Sequence, residues 1–154
     1  MITENQIKGK WSLGEDSITL HEFLSIDEDK FQVYVGTDSQ PYYKFSKFAT
    51  TVCIISENYS CFVVKRFKIK HSEHYSVEKR LMDEVYASIL VANYLTKLKK
   101  GVSIEVHADI NTNPKFRSFK CMAAAKGYVE GMGYKYVGKP DSWAASSCAD
   151  WHTK

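Results

Sequence analysis

Two stretches of this 154-residue chain carry a strand-like run that ends in an aspartate. Phe31-Gln32-Val33-Tyr34-Val35-Gly36-Thr37-Asp38-Ser39-Gln40 begins apolar and aromatic, the composition of a buried strand, and finishes in small polar residues that cannot fill a core. Ile104-Glu105-Val106-His107-Ala108-Asp109 repeats the pattern. A carboxylate at the end of a buried strand is costly unless something positive meets it. One such stretch reads equally as a strand running into an Asp-Ser turn. Two of them point to a site that holds a divalent metal.

A third carboxylate comes from helical phase. Val77, Leu81, Val85, Ser88, Ala92 and Leu95 recur at three- and four-residue steps and predict a long helix over about 75–98. At ~100° per residue, Glu84 falls between Leu81 and Ser88 on the inward stripe, whereas Asp83 falls on the solvent side. Glu78 flanks the stripe on its other edge. Among the histidines, His71 and His74 read as a surface pair near the start of this helix. His107 shares a strand face with Glu105 and Asp109, either supporting the site or hydrogen-bonded within the sheet.

The elements that must position these residues follow in order. Residues 1–30 read as an N-terminal arm, with Ser17 capping a short helix through Leu24, Trp11 anchoring the arm, and Asp27-Glu28-Asp29 as a solvated turn. Residues 46–56 and 60–69 form a predicted hairpin with its turn near Glu57-Asn58. On the second of these strands Arg66, Lys68 and Lys70 share one face, which reads as a solvated edge or a phosphate-binding surface. After the long helix, closed at Gly101, come the strand over 102–109, a helix over about 114–130 opened by Asn113-Pro114, a short strand over 134–137, and a last helix from Ser142 to about Trp151.

The length suits one domain with a single core. A net charge of +3, from 21 basic and 18 acidic residues, is too small to announce nucleic-acid binding by itself. No apolar run reaches the ~18 residues of a membrane span, and no secretory signal opens the chain. The four cysteines form no CxxC pair and read as reduced thiols of a cytoplasmic protein.

The order strand, strand, strand, helix, strand, helix, strand, helix implies an α/β domain with a mixed sheet and helices on both faces. Order together with acid positions resembles the ribonuclease H-like superfamily: Asp38 on the first strand, with Thr37-Asp38-Ser39 matching its motif, Glu84 on the first long helix, Asp109 ending the fourth strand, and Asp141 or Asp150 on the last helix. Within it the chain is similar to the YkuK-type branch, through Tyr34-Val35-Gly36-Thr37-Asp38-Ser39-Gln40, Arg80-Leu81 with Glu84-Val85, Ile104 to Ile110, Gly127-Tyr128-Val129, and Lys139-Pro140-Asp141 leading into Ala144-Ala145-Ser146-Ser147 and Ala149-Asp150. These pieces span residues 31–154.

The resemblance implies a five-stranded ribonuclease H-like fold. It also implies a nuclease that cleaves phosphodiester bonds with two Mg²⁺ or Mn²⁺ ions, held by Asp38, Glu84, Asp109 and Asp141 and acting on nucleic acid. Asp141 is preferred to Asp150 because nine helical residues put the two on opposite faces, and a last strand parallel to the first and fourth would open its helix beside Asp38 and Asp109. The alternative is a domain that keeps the fold as a nucleic-acid-binding or scaffold module without turnover.

Overall fold

The structure is a computed structural model that describes residues 1–25, 30–57 and 59–154. The expected Asp27-Glu28-Asp29 turn and Asn58 lie outside the described residues. The chain runs α1 (Glu4–Lys8), β1 (Lys10–Leu13), β2 (Asp16–Thr19), α2 (Leu20–Leu24), β3 (Gln32–Pro41), β4 (Phe45–Ser56), β5 (Tyr59–Lys70), α3 (Val77–Leu98), β6 (Ser103–Asn111), a 3-10 turn (Arg117–Cys121), α4 (Met122–Gly131), β7 (Lys135–Lys139) and a π-helix (Ala144–Ala149).

Among the described residues the strands form one seven-stranded mixed sheet in the order β2-β1-β5-β4-β3-β6-β7. The five expected strands are β3 to β7. The other two come from the N-terminal arm, whose hairpin β1–β2 attaches to β5 through Ser12 opposite Val64. Its polar alternation around a Gly14 turn at φ 60° is the pattern of a half-exposed hairpin, which a search for apolar runs passes over. The arm's helix is capped by Thr19, not Ser17. Thr19 Oγ1 accepts from the Glu22 N–H at 3.2 Å while the Glu22 carboxylate returns to Thr19, a capping box. Trp11 is fully buried, with its indole N–H donating to the Ile7 carbonyl.

β3 pairs antiparallel with β4 and parallel with β6, and β6 pairs parallel with β7. β3, β6 and β7 therefore point their C-terminal ends the same way, where ligands of α/β sheets collect. Strand alternation then sorts side chains by face. Val33, Val35, Thr37 and Ser39 turn towards α3, where Val33 and Val35 join the hydrophobic core and the Thr37 hydroxyl lies 2.7 Å from that of Ser88. Tyr34, Gly36 and Asp38 turn to the other face, which the π-helix covers.

Two helices differ from the sequence expectation. The one expected over 114–130 starts as the 3-10 turn and becomes α-helical only at Met122, because Asn111 to Lys115 is held in turns by Ser118 and Asn113 side chains. The last is π-helical through Ala144–Ala149. It lies so close to β3 that a Cβ on Gly36 would sit 2.5 Å from the Ala144 carbonyl carbon and the Ala145 nitrogen. Gly36, with alanines at 144 and 145, is what lets two backbones touch there. Thr51 Oγ1 donates to the Ala144 carbonyl at 3.1 Å and compensates the widened helix.

Candidate active site

Asp38 stands in the last third of β3 on the π-helix face, 5% exposed. Burial, first, and then a hydrogen bond with Asp150 and the charge of Asp109 push its carboxyl up to about 8, against a smaller downward pull from the Ser39 N–H. Asp150 is held below the ordinary range, chiefly by that same hydrogen bond. The two carboxyls thus titrate as one coupled pair.

Asp109 faces the same side from β6. Ser146 Oγ donates to it at 3.1 Å, and Lys139 Nζ lies 2.9 Å away. Glu84 arrives from the opposite layer, in α3. It is 3% exposed, accepts from Ser39 Oγ at 2.6 Å, and lies 3.6 Å from Arg80 Nη1. Burial and then the charge of Asp38 raise its carboxyl well above the ordinary range, while Ser39 and Arg80 pull it back. Arg80 is one turn before Glu84 and also donates to Ser39 Oγ at 2.8 Å, so strand, helix and carboxylate are tied at one point.

Asp141 is elsewhere. After β7 the chain turns back, with the Asp141 N–H donating to the Gly138 carbonyl. The helix consequently begins low on the sheet and climbs towards Asp38. Trp143 packs against Tyr34 and His107, with ring centroids 4.9 and 5.2 Å apart, and the Ala144 N–H donates to His107 Nδ1 at 3.1 Å. Asp141 lines a separate cavity of about 600 Å³ with Glu105, His107 and Trp143. The expectation that the last helix opens beside Asp38 and Asp109 fails because of this reversal. It is the helix's far end, Asp150, that meets Asp38.

Other expectations resolve individually. Asp83 is buried at 7% exposure, not solvated, because the Tyr75 hydroxyl and Lys79 Nζ, the latter at 2.8 Å, close over it. Glu78 pairs with Arg117 at 3.0 Å. His71 bonds Ser46 and stacks on Tyr75, whereas His74 is exposed beside Glu73. His107 accepts at Nδ1, so its proton sits on Nε2, 3.3 Å from Glu105 Oε1. Burial holds its pKa below the ordinary value, Glu105 pulling the other way. It anchors the start of the last helix.

Sequence reasoning did not single out Ser39, Gly36, Lys139 or Ser146 for this site. Gly36 carries a readable signal, since glycine inside a strand marks a close backbone approach. Among the described residues no three His, Cys, Asp or Glu side chains are arranged as a ready metal cage. The donor set is nevertheless all oxygen and mutually repulsive, which suits a hard divalent cation. Lys139 and Lys154, the latter 3.3 Å from Asp150, now balance part of that charge.

A family model described as ribonuclease H-like matches residues 17–154. The chain belongs to the ribonuclease H-like family. No curated protein matches it in sequence. Among solved structures it is similar to LC11-RNase H1, isolated from compost by a metagenomic approach, at 15% identity over 79% of this chain and 91% of that one, with a TM-score of 0.39. It is also similar to the N-terminal RNase H domain of rv2228c from Mycobacterium tuberculosis, solved as a fusion with maltose-binding protein, at 9% identity over 80% and 94%, with a TM-score of 0.34. No helix of this ribonuclease H-like chain is long and apolar enough, among the described residues, to cross a membrane.

Proposed function

We propose that this chain is a metal-dependent nuclease of the cytoplasm, of the YkuK-type branch, whose working carboxylates are Asp38, Glu84, Asp109 and Asp150. The observation that carries the reading is the pair Asp38–Asp150, a buried carboxyl pushed up to about 8 against a second aspartate, with Asp109 and Glu84 adding to the repulsion. Folding tolerates such a cluster only at a cost, and a cation is what removes the cost. Mg²⁺ or Mn²⁺ held by these four would activate a water and stabilise the leaving oxygen of a phosphodiester. Asp38 would hold the ion as the carboxylate. Ser39 and Arg80 fix the Glu84 carboxylate, and Ser146 fixes that of Asp109. Lys139 and Lys154, which lie against Asp109 and Asp150, would be released to meet the phosphate.

A binding module without turnover is the second reading. It is favoured by the Lys139–Asp109 contact at 2.9 Å, which neutralises one of the acids without metal. The two separate in one assay. Labelled single-stranded, duplex and hybrid oligonucleotides are incubated with protein in Mn²⁺ or EDTA. Cleavage is expected only with Mn²⁺ and should fall about 10²-fold or more in Asp38→Asn and Asp109→Asn. Equal cleavage by wild type and both variants, or none by wild type on the whole panel, overturns the nuclease reading.

A further inference from the structure

The sheet face that carries Asp38 is covered only in part. The π-helix lies over the row Gly36–Thr51, and Asp150 reaches the next row, where Asp38 is opposite Ala49 and Ala49 opposite Arg66. Beyond that, about 7 Å further along the strands, Gln40 is opposite Lys47 and Lys47 opposite Lys68. Further still, Phe45 is opposite Lys70. Among the described residues no helix lies on this end of the face.

Its residues are an unusual choice for a bare sheet. Lys47 and Lys68 stand directly opposite one another, a like-charge pair that weakens an antiparallel ladder. Among the described residues none of Lys47, Arg66, Lys68 and Lys70 has a carboxylate partner. The Lys47 and Lys68 ammonium groups lie over the rings of Tyr42 and Phe45, each 5.3 Å from the centroid. Those two rings stack at 4.8 Å, 7° from parallel, and Tyr42 is 43% exposed. Beside them opens a groove of about 250 Å³ lined by Lys47, Arg66, Lys68, His152, Thr153 and Lys154, with no acidic side chain among the described residues of its wall.

We propose that this uncovered face is the track on which an unpaired strand of nucleic acid lies, its phosphates on Lys47, Arg66 and Lys68 and an unstacked base on Tyr42. This rests on the nuclease reading, since the track leads along one sheet face to Asp38. Lysines without a carboxylate partner answer phosphates, Arg66 adds its charge from the hydrogen bonds it makes to His152 (Nε 3.0 Å from the carbonyl oxygen, Nη2 2.7 Å from Nδ1), and a half-exposed ring answers bases that are free of a duplex stack. The row spacing puts the Arg66 Cα about 10 Å from that of Asp38, two strand separations away. A strand on the lysines therefore delivers its next phosphates to the carboxylates, which by themselves repel it.

The test is fluorescence anisotropy of a labelled oligonucleotide in EDTA, where no cleavage intervenes. Single strand should bind at least about 10-fold tighter than duplex of the same sequence. Lys47→Gln with Lys68→Gln should weaken it at least about 10-fold and reduce the salt slope by about 1.4, at ~0.7 per phosphate on a single strand. Tyr42→Ala should weaken it about 5-fold or more, as lost stacking does. Lys99→Gln with Lys100→Gln, on the opposite end of the sheet, should change nothing. Unchanged affinity and salt slope in the Lys47/Lys68 variant, or duplex bound as tightly as single strand, overturns the track. Strand binding that behaves as expected in a protein that cleaves nothing leaves the track standing and removes the nuclease. Cleavage of single strands undiminished by the Lys47/Lys68 change does the reverse.

Discussion

Asp141 and Asp150 differ in what surrounds them, and that difference sets their expected roles. Asp150 meets Asp38 through a side-chain hydrogen bond, while Asp141 closes a turn beside His107. Asp150→Asn should therefore cost about 10²-fold or more in Mn²⁺-dependent cleavage. Asp141→Asn should stay within about twofold, as for a surface substitution. The rate ratio of the two variants on one substrate is the measurement, and a larger loss in Asp141→Asn would return that residue to the site. The strand acids were legible because each ends an apolar strand-like run, where a carboxylate stands out. Glu84 was legible because α3 is regular for six turns. Asp83 was not, since helical phase says where a side chain leaves the helix and nothing of Tyr75, eight residues earlier, folding over it.

The last helix shows where element-level reading stops. A count of 100° per residue carries no meaning across Ala144–Ala149, where the helix is π-wound, and the reversal at Gly138–Asp141 sets its direction. Neither is a property of local periodicity. The helix's close seat on the sheet answers to one residue on another element, Gly36. Gly36→Ala would put a methyl 2.5 Å from the backbone of Ala144 and Ala145, and backbone cannot yield as a flexible side chain does. The π-helix must lift, carrying Asp150 from Asp38 and Ser146 from Asp109. Overpacking of this kind costs about 1–3 kcal/mol. The expected outcome is a chain that still folds, with lowered denaturation midpoint and cleavage reduced about 10-fold or more. Full cleavage in a destabilised Gly36→Ala protein would show that the helix's seat on β3 does not position the acids. The N-terminal hairpin escaped reading for a different reason: four-residue polar strands carry too little apolar alternation to stand out, and only their docking on β5 makes them part of the sheet.

At the scale of the whole molecule, the acids make stability depend on pH and on cations together. The Asp38 carboxyl titrates at about 8 in the folded protein against an ordinary 3.8 unfolded, and Glu84 shifts the same way. Between about pH 4 and 8 the folded state thus holds a proton at Asp38 that the unfolded state has lost, and Glu84 acts in the same direction. Stability contributed by those protons is complete below the unfolded value and disappears as pH rises through the folded one. The lowered carboxyls of Glu4, Glu22, Glu78 and Asp150 act with opposite sign, but below about pH 4.5, outside this window; the imidazoles of His107 and His152, lowered by burial, also oppose it, inside the window and below their ordinary 6.5, and they are the same in wild type and Asp38→Asn. A divalent cation takes the proton's place, so its apparent affinity should rise across the same range. In EDTA the melting temperature should therefore fall from pH 5 to pH 8 relative to that of Asp38→Asn. Saturating Mn²⁺ should raise it at both values, and more at pH 8. Asp38→Asn, which keeps the shape and removes the titrating group, should flatten the EDTA profile and shrink the Mn²⁺ increment at pH 8 most. The comparison is thermal unfolding of both proteins at pH 5 and 8, in EDTA, in Mn²⁺ and in Na⁺ at equal ionic strength. An increment in Mn²⁺ no larger than in Na⁺, or one that does not grow with pH, would mean that these carboxylates hold no metal and that their repulsion is met by Lys139, Lys154 and Arg80 alone.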